Sequence, residues 1–124
     1  VREPPIRAAR LDFEAKIRAH AKLRGDVVFA DLSNEVLSAA GKFVTYALFP
    51  EAVYSVLLLR TKQLVKLAVG YNPWSGRERR HDISELMKKE GGGGHAVVGA
   101  AAFAHGDIDR ARAAAERVFE ALSR

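Results

Sequence analysis

Four consecutive glycines, Gly91 to Gly94, are followed directly by His95, and this run constrains the fold more than any other segment. Each glycine costs about 1 kcal/mol of helix propensity relative to alanine, so the run ends any helix that reaches it. One glycine is enough to cap a helix, and four in a row are hard to explain by packing alone. A backbone without Cβ atoms lets a ligand approach its amides closely, and the imidazole adds a titratable donor. The run therefore predicts contact with a ligand.

Composition and charge narrow the class of protein. The chain has 124 residues, which suits one domain, and 48% of them are hydrophobic, which is enough for a core. No apolar run of about 18 residues and no secretion signal are visible, so we expect no membrane partner. The absence of cysteine excludes disulfides and fits a cytoplasmic location. A net charge of +5 favours an anionic partner such as nucleic acid, a phosphorylated small molecule or an anionic membrane.

Helical and strand patterns alternate along the chain. The expected elements are a helix at residues 6–24, a strand at 26–32, short helical pieces at 35–40 and 43–49, strands at 53–59 and 64–70, a helix at 83–90, a strand at 96–103 and a helix after 107. The order α-β-α-β-β-α-β-α predicts a layered α/β fold with a mixed sheet of about four strands. We expect residues 1–25 to be a helix that connects to another domain, and residues 26–124 to form the binding domain.

The position of the glycines excludes the common phosphate-binding loops. Nucleotide P-loops and dinucleotide fingerprints place glycines after a strand and before a helix, whereas here a helix precedes and a strand follows. The carbonyl end of a helix disfavours an anion. A phosphate at this loop would therefore need the amides of Gly92, Gly93, Gly94 and His95 to turn outward as a concave nest.

Other polar clusters predict no catalytic residue and no metal site. His81 with Asp82, and His105 with Asp107 and Asp109, are the nearest candidates for metal ligands. Asp82 is better used as a helix N-cap, and the other two acids stand at a helix start, where acidic residues are favoured anyway. No arrangement of serine, histidine and aspartate indicates a nucleophile.

Two aromatic residues stand near the turn that follows the second central strand. Tyr71 and Trp74 are of the type that stacks on nucleobases. Trp74 can equally pack under its own loop, and we favour that interpretation for Trp74. Tyr71 ends a strand and can point either way.

Several segments together resemble a known family. These are residues 82–87 (Asp-Ile-Ser-Glu-Leu-Met), the run from Gly91 to His95, Gly99 with Ala100, residues 43–52 and residues 69–74. They resemble the DHHA1 domain, the C-terminal substrate-binding domain of DHH-type phosphoesterases, which include RecJ-like exonucleases and small-oligonucleotide phosphodiesterases. The resemblance covers roughly residues 26–103.

The resemblance implies a division of labour between two domains. In such enzymes two manganese ions lie in a separate, covalently linked DHH domain, and the DHHA1 domain closes over the substrate. By position, the glycines from Gly91 to Gly94 and His95 would contact a phosphate and the end of a short strand. This implies a single-stranded oligonucleotide or nucleotide as the partner, and no cofactor in this chain itself.

One departure from the family pattern concerns the strand before the motif helix. Many members carry Arg-Ser there, whereas this chain has Tyr71 and Asn72. Asn72 can still donate a hydrogen bond, but the fixed cation is missing. Arg77, Arg79 and Arg80 in the following loop either replace that cation or form a solvated loop.

The expected function follows from the loop and from the missing metal ligands. We expect the substrate-binding domain of a manganese-dependent phosphoesterase that acts on short single-stranded nucleic acid or nucleotides, and this chain alone should be inactive. The alternative is a non-catalytic small-molecule regulatory or oligomerisation domain, in which the glycine loop lies at an interface, for example in a homodimer.

Overall fold

The computed structural model of the protein describes residues 6–36 and 42–124. It contains a six-stranded sheet with the strand order β1-β2-β3-β4-β6-β5 and four helices in the described part of the chain. The strands are β1 (Ala21–Arg24), β2 (Val27–Val36), β3 (Tyr54–Arg60), β4 (Val65–Tyr71), β5 (Gly93–Gly94) and β6 (Val98–Phe103). The helices are α1 (Ile6–His20), α2 (Lys42–Leu48), α3 (Ile83–Lys89) and α4 (Ile108–Leu122). None of these helices is long and apolar enough to cross a membrane.

The sheet is mixed, as expected, because β2 and β3 are parallel while every other neighbouring pair is antiparallel. The predicted α/β class is therefore confirmed. The number of strands is corrected from about four to six, and both additional strands lie at the edges of the sheet.

Strand β1 replaces the end of the expected first helix. Helix α1 ends at His20, and Ala21 lies opposite Ala30 in an antiparallel hairpin closed by Gly25 at a φ of +60°. The helical spacing of apolar residues does run on to Ala21. Pairing with β2 decides the conformation instead, since a neighbouring strand satisfies the backbone groups of residues 21–24.

Strand β2 is also longer than expected. It runs to Val36 instead of ending at residue 32, so Ser33 and Asn34 lie inside it. The Asp31 carboxylate accepts hydrogen bonds from the amide and the hydroxyl of Ser33, and Arg112 of α4 binds Asp31 at 3.1 Å. Of the helical piece expected over residues 35–40, the first two residues are in β2 and the rest lie outside the described residues. The second piece is confirmed as α2.

Two hydrophobic clusters lie on opposite faces of the sheet. One face packs on α3 and α4, with Val56, Leu67, Met87 and Phe119 among its buried residues. We call it the covered face. On the other face, side chains of α1 and α2 pack against β2 and β3.

The second face is covered over only part of its width. Side chains alternate between the two faces along a strand, so Lys66, Ala68 and Gly70 of β4 belong to the second face together with Val98, Ala100 and Ala102 of β6. Lys66 and Ala102 are exposed, while Ala68, Val98 and Ala100 are half-buried. We call this part of the sheet the open face.

Candidate functional site

Gly91, the first glycine of the run, ends helix α3. It has a φ of +83°, in the left-handed region that favours glycine. Its amide donates to the Lys88 carbonyl at 3.2 Å, and the next amide, of Gly92, donates to the Met87 carbonyl at 2.8 Å. This pair of bonds is the Schellman motif, so the fold itself accounts for Gly91.

Gly92 and Gly94 are required by close contact with β6. A Cβ atom on Gly92 would lie 2.2 Å from the carbonyl oxygen of Ala100, and one on Gly94 would lie 2.4 Å from that of Val98. Gly99, opposite Gly94, allows α3 to pack on β6, because a Cβ there would lie 2.7 Å from Met87 Cγ. Three of the four glycines in the run therefore have a structural reason.

Gly93 is the exception within the run. No heavy atom lies within 4 Å of a Cβ built on it, and its φ is outside the left-handed region. It is paired with Ala100, so the missing side chain belongs to the open face. Neither backbone conformation nor packing in the described structure demands glycine here.

The amides of the run are only partly free to meet a ligand. Those of Gly92 and His95 bind carbonyl oxygens of the domain, Met87 at 2.8 Å and Val98 at 2.7 Å. The bond between His95 and Val98 makes these two residues a hydrogen-bonded pair. Hydrogen-bonded and non-hydrogen-bonded pairs alternate along an antiparallel ladder, so the adjacent pair of Gly94 and Gly99 is not hydrogen-bonded. The Gly94 amide consequently points away from β6, toward the edge of the sheet.

His95 follows β5 and lies opposite Val98, as its amide bond to that residue shows. Residues directly opposite each other in an antiparallel pair share a face, so the imidazole belongs to the open face with Gly93. His95 is exposed. The short turn after it is held from the other side, where the Ile83 amide donates to the Ala96 carbonyl at 3.0 Å.

Asn72 and Tyr71 have internal roles. Asn72 is only 1% exposed. Its amide nitrogen donates to the Ala52 carbonyl at 2.9 Å, and its side-chain oxygen accepts from the Trp74 amide at 3.0 Å. The Tyr71 hydroxyl donates to the carbonyl of Arg77. Both groups thus fix the loop after β4.

The arginines of this loop are also engaged within the domain. The Arg80 guanidinium binds both carboxylate oxygens of Asp26, at 2.5 and 3.1 Å, donates to the Leu122 carbonyl, and lies over the Tyr54 ring. The hydrogen bond from Arg80 holds the pKa of Asp26 below its ordinary value. Arg77 lies 3.5 Å from the same carboxylate.

Arg79 donates to the His81 carbonyl at 2.9 Å. No local sequence pattern indicates Asp26 as the partner of this loop, because the two segments are far apart in the chain. Arg77 and Arg80 lie at Asp26, just before the start of β2, and the structure pairs each of the three arginines with a group of the domain itself.

The structure places Trp74 differently from what we expected from the sequence. The interpretation that it packs under its own loop is wrong, since its side chain is 66% exposed. The reason is local: residues Pro73–Ser75 form a short 3-10 turn whose first free amide is capped by Asn72, and the turn projects the indole outward.

Comparison with solved structures identifies the fold and its family. The pGpG-specific phosphodiesterase PggH from Vibrio cholerae is 33% identical over 94% of this chain, with a TM-score of 0.74. An exopolyphosphatase-related protein from Bacteroides fragilis and a DHH-domain member of the S1p family of ribosomal proteins share the fold, at TM-scores of 0.61 and 0.58 and 15% identity.

The chain is a DHHA1 domain of the DHH family. It spans only 40, 36 and 31% of these three proteins. No family model matches it by sequence, and no curated protein does so either. The family is therefore indicated by the short sequence motifs and by the structural comparison.

Within residues 6–36 and 42–124, no group of three or more histidine, aspartate or glutamate side chains is arranged to hold a metal ion. The Asp82 carboxylate accepts from the Ser84 amide at 3.0 Å as the N-cap of α3. The His105 ring is bound to the Thr61 carbonyl at 2.8 Å.

Proposed function

We propose that this DHHA1 domain binds the phosphate of a short single-stranded nucleic acid or nucleotide and presents it to a covalently linked, manganese-dependent DHH catalytic domain. Its 33% identity to a pGpG-specific phosphodiesterase supports a phosphodiester of two nucleotides as the first substrate to test. The absence of cysteine supports a cytoplasmic setting.

A single observation carries this proposal, namely the open edge formed by Gly93, Gly94 and His95. Gly93 has no neighbour within 4 Å of its Cβ position, so a ligand can lie directly on the backbone. The Gly94 amide points outward, and the exposed imidazole of His95 stands on the same face as Gly93. One backbone donor and one side-chain donor can together hold two oxygens of a phosphate.

The net charge supports an anionic ligand, although the loop arginines are not part of the proposed contact. The chain carries a formal charge of +5, which attracts anions over the whole surface. Arg80 and Arg77 are already paired with Asp26. We therefore assign them to the stability of the domain and keep Gly93, Gly94 and His95 as the phosphate contacts.

Binding of pGpG by the purified chain tests the proposal, measured by isothermal titration calorimetry over a series of salt concentrations. Affinity should fall as salt rises, because phosphate contacts release counterions. Replacing His95 by Ala should weaken binding about 10- to 100-fold, the range for a hydrogen bond to a charged group.

His20→Ala is the matched control, since His20 is an exposed histidine at the end of α1. It should leave the affinity unchanged. Unchanged affinity in the His95→Ala variant would overturn the assigned role. A salt-insensitive or absent binding response together with a stable dimer would favour an oligomerisation module.

Catalysis by this chain alone is not part of the proposal. The described residues hold no cluster of metal ligands. A phosphodiesterase assay of the purified chain with added manganese should therefore show no turnover. Robust turnover that EDTA abolishes would show that the chain carries its own catalytic site.

A further inference from the structure

Next to Trp74 the domain has a shallow cavity of about 330 Å³ that the proposed phosphate site does not use. It is lined by Tyr46, Ala47, Pro50, Asn72 and Trp74. The side-chain amide of Asn72 is bound to the backbone of this region, so the walls offer mostly apolar and aromatic surface. Such a lining suits a flat, uncharged ring better than a phosphate.

The aromatic wall of this cavity consists of one buried ring, of Tyr46, and one exposed ring, of Trp74. The backbone amide of Trp74 is fixed by Asn72, while its indole remains 66% exposed. The indole meets the Tyr46 ring edge-on at 6.5 Å between centroids. Tyr46 is itself buried and its hydroxyl is 2.9 Å from the Ser55 hydroxyl. The contact with the buried Tyr46 ring limits the side-chain freedom that the indole can lose when a ring stacks on it.

The cavity and His95 lie on the same side of the sheet. Tyr46 contacts Ser55 of β3, and Ser55 is paired with Gly70 of β4. Gly70 is in turn paired with Val98 of β6, which lies opposite His95. These four residues form one row across β3, β4, β6 and the end of β5. Three strand spacings of about 4.8 Å put the two ends of the row roughly 14 Å apart at the backbone.

The middle of this row carries no large side chain. Gly70 is buried and has no side chain, and on the neighbouring positions of the open face Ala68 and Ala100 are small and half-buried. Trp74 meets this row through Tyr46, and His95 lies at its other end. A phosphate at the imidazole and a ring on the indole can therefore belong to one ligand the size of pGpG that lies across the row.

We infer that Trp74 is a stacking platform for a nucleobase of the ligand whose phosphate lies at Gly93 and His95. This inference rests on the proposed function and makes it more specific. It selects a nucleotide-containing phosphoester over a base-free polyphosphate, a distinction that the fold alone does not make, because both a pGpG phosphodiesterase and an exopolyphosphatase-related protein share it.

Two probes separate the base from the phosphate: pGpG, which carries both, and inorganic tripolyphosphate, which carries no base. Their affinities are compared by calorimetry at constant ionic strength for the wild type and for Trp74→Ala, Trp74→Phe and Leu23→Ala. Leu23 is the matched control because it is another exposed apolar side chain, 46% exposed, on β1 at the far edge of the sheet.

Trp74→Ala should weaken pGpG binding about tenfold, within the range for stacking of one base on an aromatic side chain, and leave tripolyphosphate binding unchanged. Trp74→Phe should recover part of the loss, and Leu23→Ala should behave as wild type. Trp74 is also the only tryptophan of the chain, so pGpG should quench its fluorescence and tripolyphosphate should not.

The outcomes distinguish this inference from the proposed function. If His95→Ala weakens both ligands while Trp74→Ala weakens neither, the phosphate site stands and the platform is overturned. Equal loss of both ligands in Trp74→Ala would also overturn it, since a structural role or a docking site for the catalytic domain would then explain the exposed indole. If the wild type binds neither ligand, both proposals fail.

Discussion

The glycine run and the arginine loop were both candidates for contact with a phosphate, and the structure places them in different surroundings. In the glycine run, Gly93 is half-buried with no atom within 4 Å of its Cβ position, and His95 is exposed. In the arginine loop, which we define as Arg77, Arg79 and Arg80, every guanidinium has a partner within the domain. We therefore propose the glycine run, the region with fewer charges, as the contact for an anion.

The contrast teaches that a basic loop is weak evidence for a binding site until its partners are known. A guanidinium that already donates to a group of its own domain has fewer free N–H donors for a ligand. A backbone amide at a sheet edge keeps its donor capacity, because its strand has no neighbour on that side. We expect substitutions in the arginine loop to change stability, and substitutions at Gly93 or His95 to change affinity.

The largest effect should come from comparing two adjacent glycines. Gly92→Ala forces a Cβ to within 2.2 Å of the Ala100 carbonyl oxygen, so we expect it to lower the free energy of unfolding by about 1–3 kcal/mol or more. Gly93→Ala meets no atom and should change stability by less than about 1 kcal/mol. Urea denaturation of both variants measures the difference. Equal stability would contradict the packing assigned to Gly92.

Gly93→Ala should nonetheless weaken pGpG binding, since the added methyl group lies where the ligand approaches the backbone. This separates a folding role from a binding role at neighbouring positions of one run.

Arg80→Ala should have an intermediate effect on stability and little effect on binding. It removes both bonds to Asp26 and the bond to the Leu122 carbonyl, and should cost about 1–2 kcal/mol. Arg77→Ala is the control: this arginine is 59% exposed and contacts Asp26 at 3.5 Å, so its loss should cost less than about 0.5 kcal/mol. A larger loss of pGpG affinity than of stability in Arg80→Ala would return this loop to the binding site.

The smallest expected effect is on how the stability of the domain depends on pH. Arg80 lowers the pKa of Asp26 below its ordinary value of 3.8. A carboxyl group with a lowered folded-state pKa contributes stability above its unfolded pKa and loses it as the pH falls through the folded one. Asp26→Asn should therefore be less stable than the wild type at pH 7, and the gap should narrow below about pH 4. Thermal unfolding at both pH values checks this. A gap that stays constant would exclude the pair as its cause.

The sequence predicted best the elements that carry their own pattern. The helix expected after residue 107 is confirmed as α4, and the apolar residues at helical spacing in it are buried in or packed against the core: Ile108, Ala111, Ala115, Val118, Phe119 and Leu122. The N-cap of α3 was expected at Asp82 and is confirmed. Both rest on local rules of helix spacing and capping.

What the sequence did not predict depends on distant partners. Strand β1 has only four residues, and the two residues of β5 are both glycines. Neither strand therefore shows the alternation of apolar and polar residues that predicts a strand. Each forms because a neighbouring strand offers hydrogen bonds. The pair of Asp26 and Arg80 joins residues 54 positions apart and has no local indication. The exposure of Trp74 likewise depends on how Asn72 binds the backbone near residue 52.

The pairing of β5 with β6 also constrains how many residues the glycine run can contain. The segment is fixed at both ends, by the bond from the Gly92 amide to Met87 and by the bond from the Ile83 amide to Ala96. Within it, successive positions face alternate sides of the sheet. An insertion of one residue would turn the histidine toward helix α3, whereas an insertion of two would restore its side. The run can therefore change in length only in steps of two if the imidazole is to keep its face.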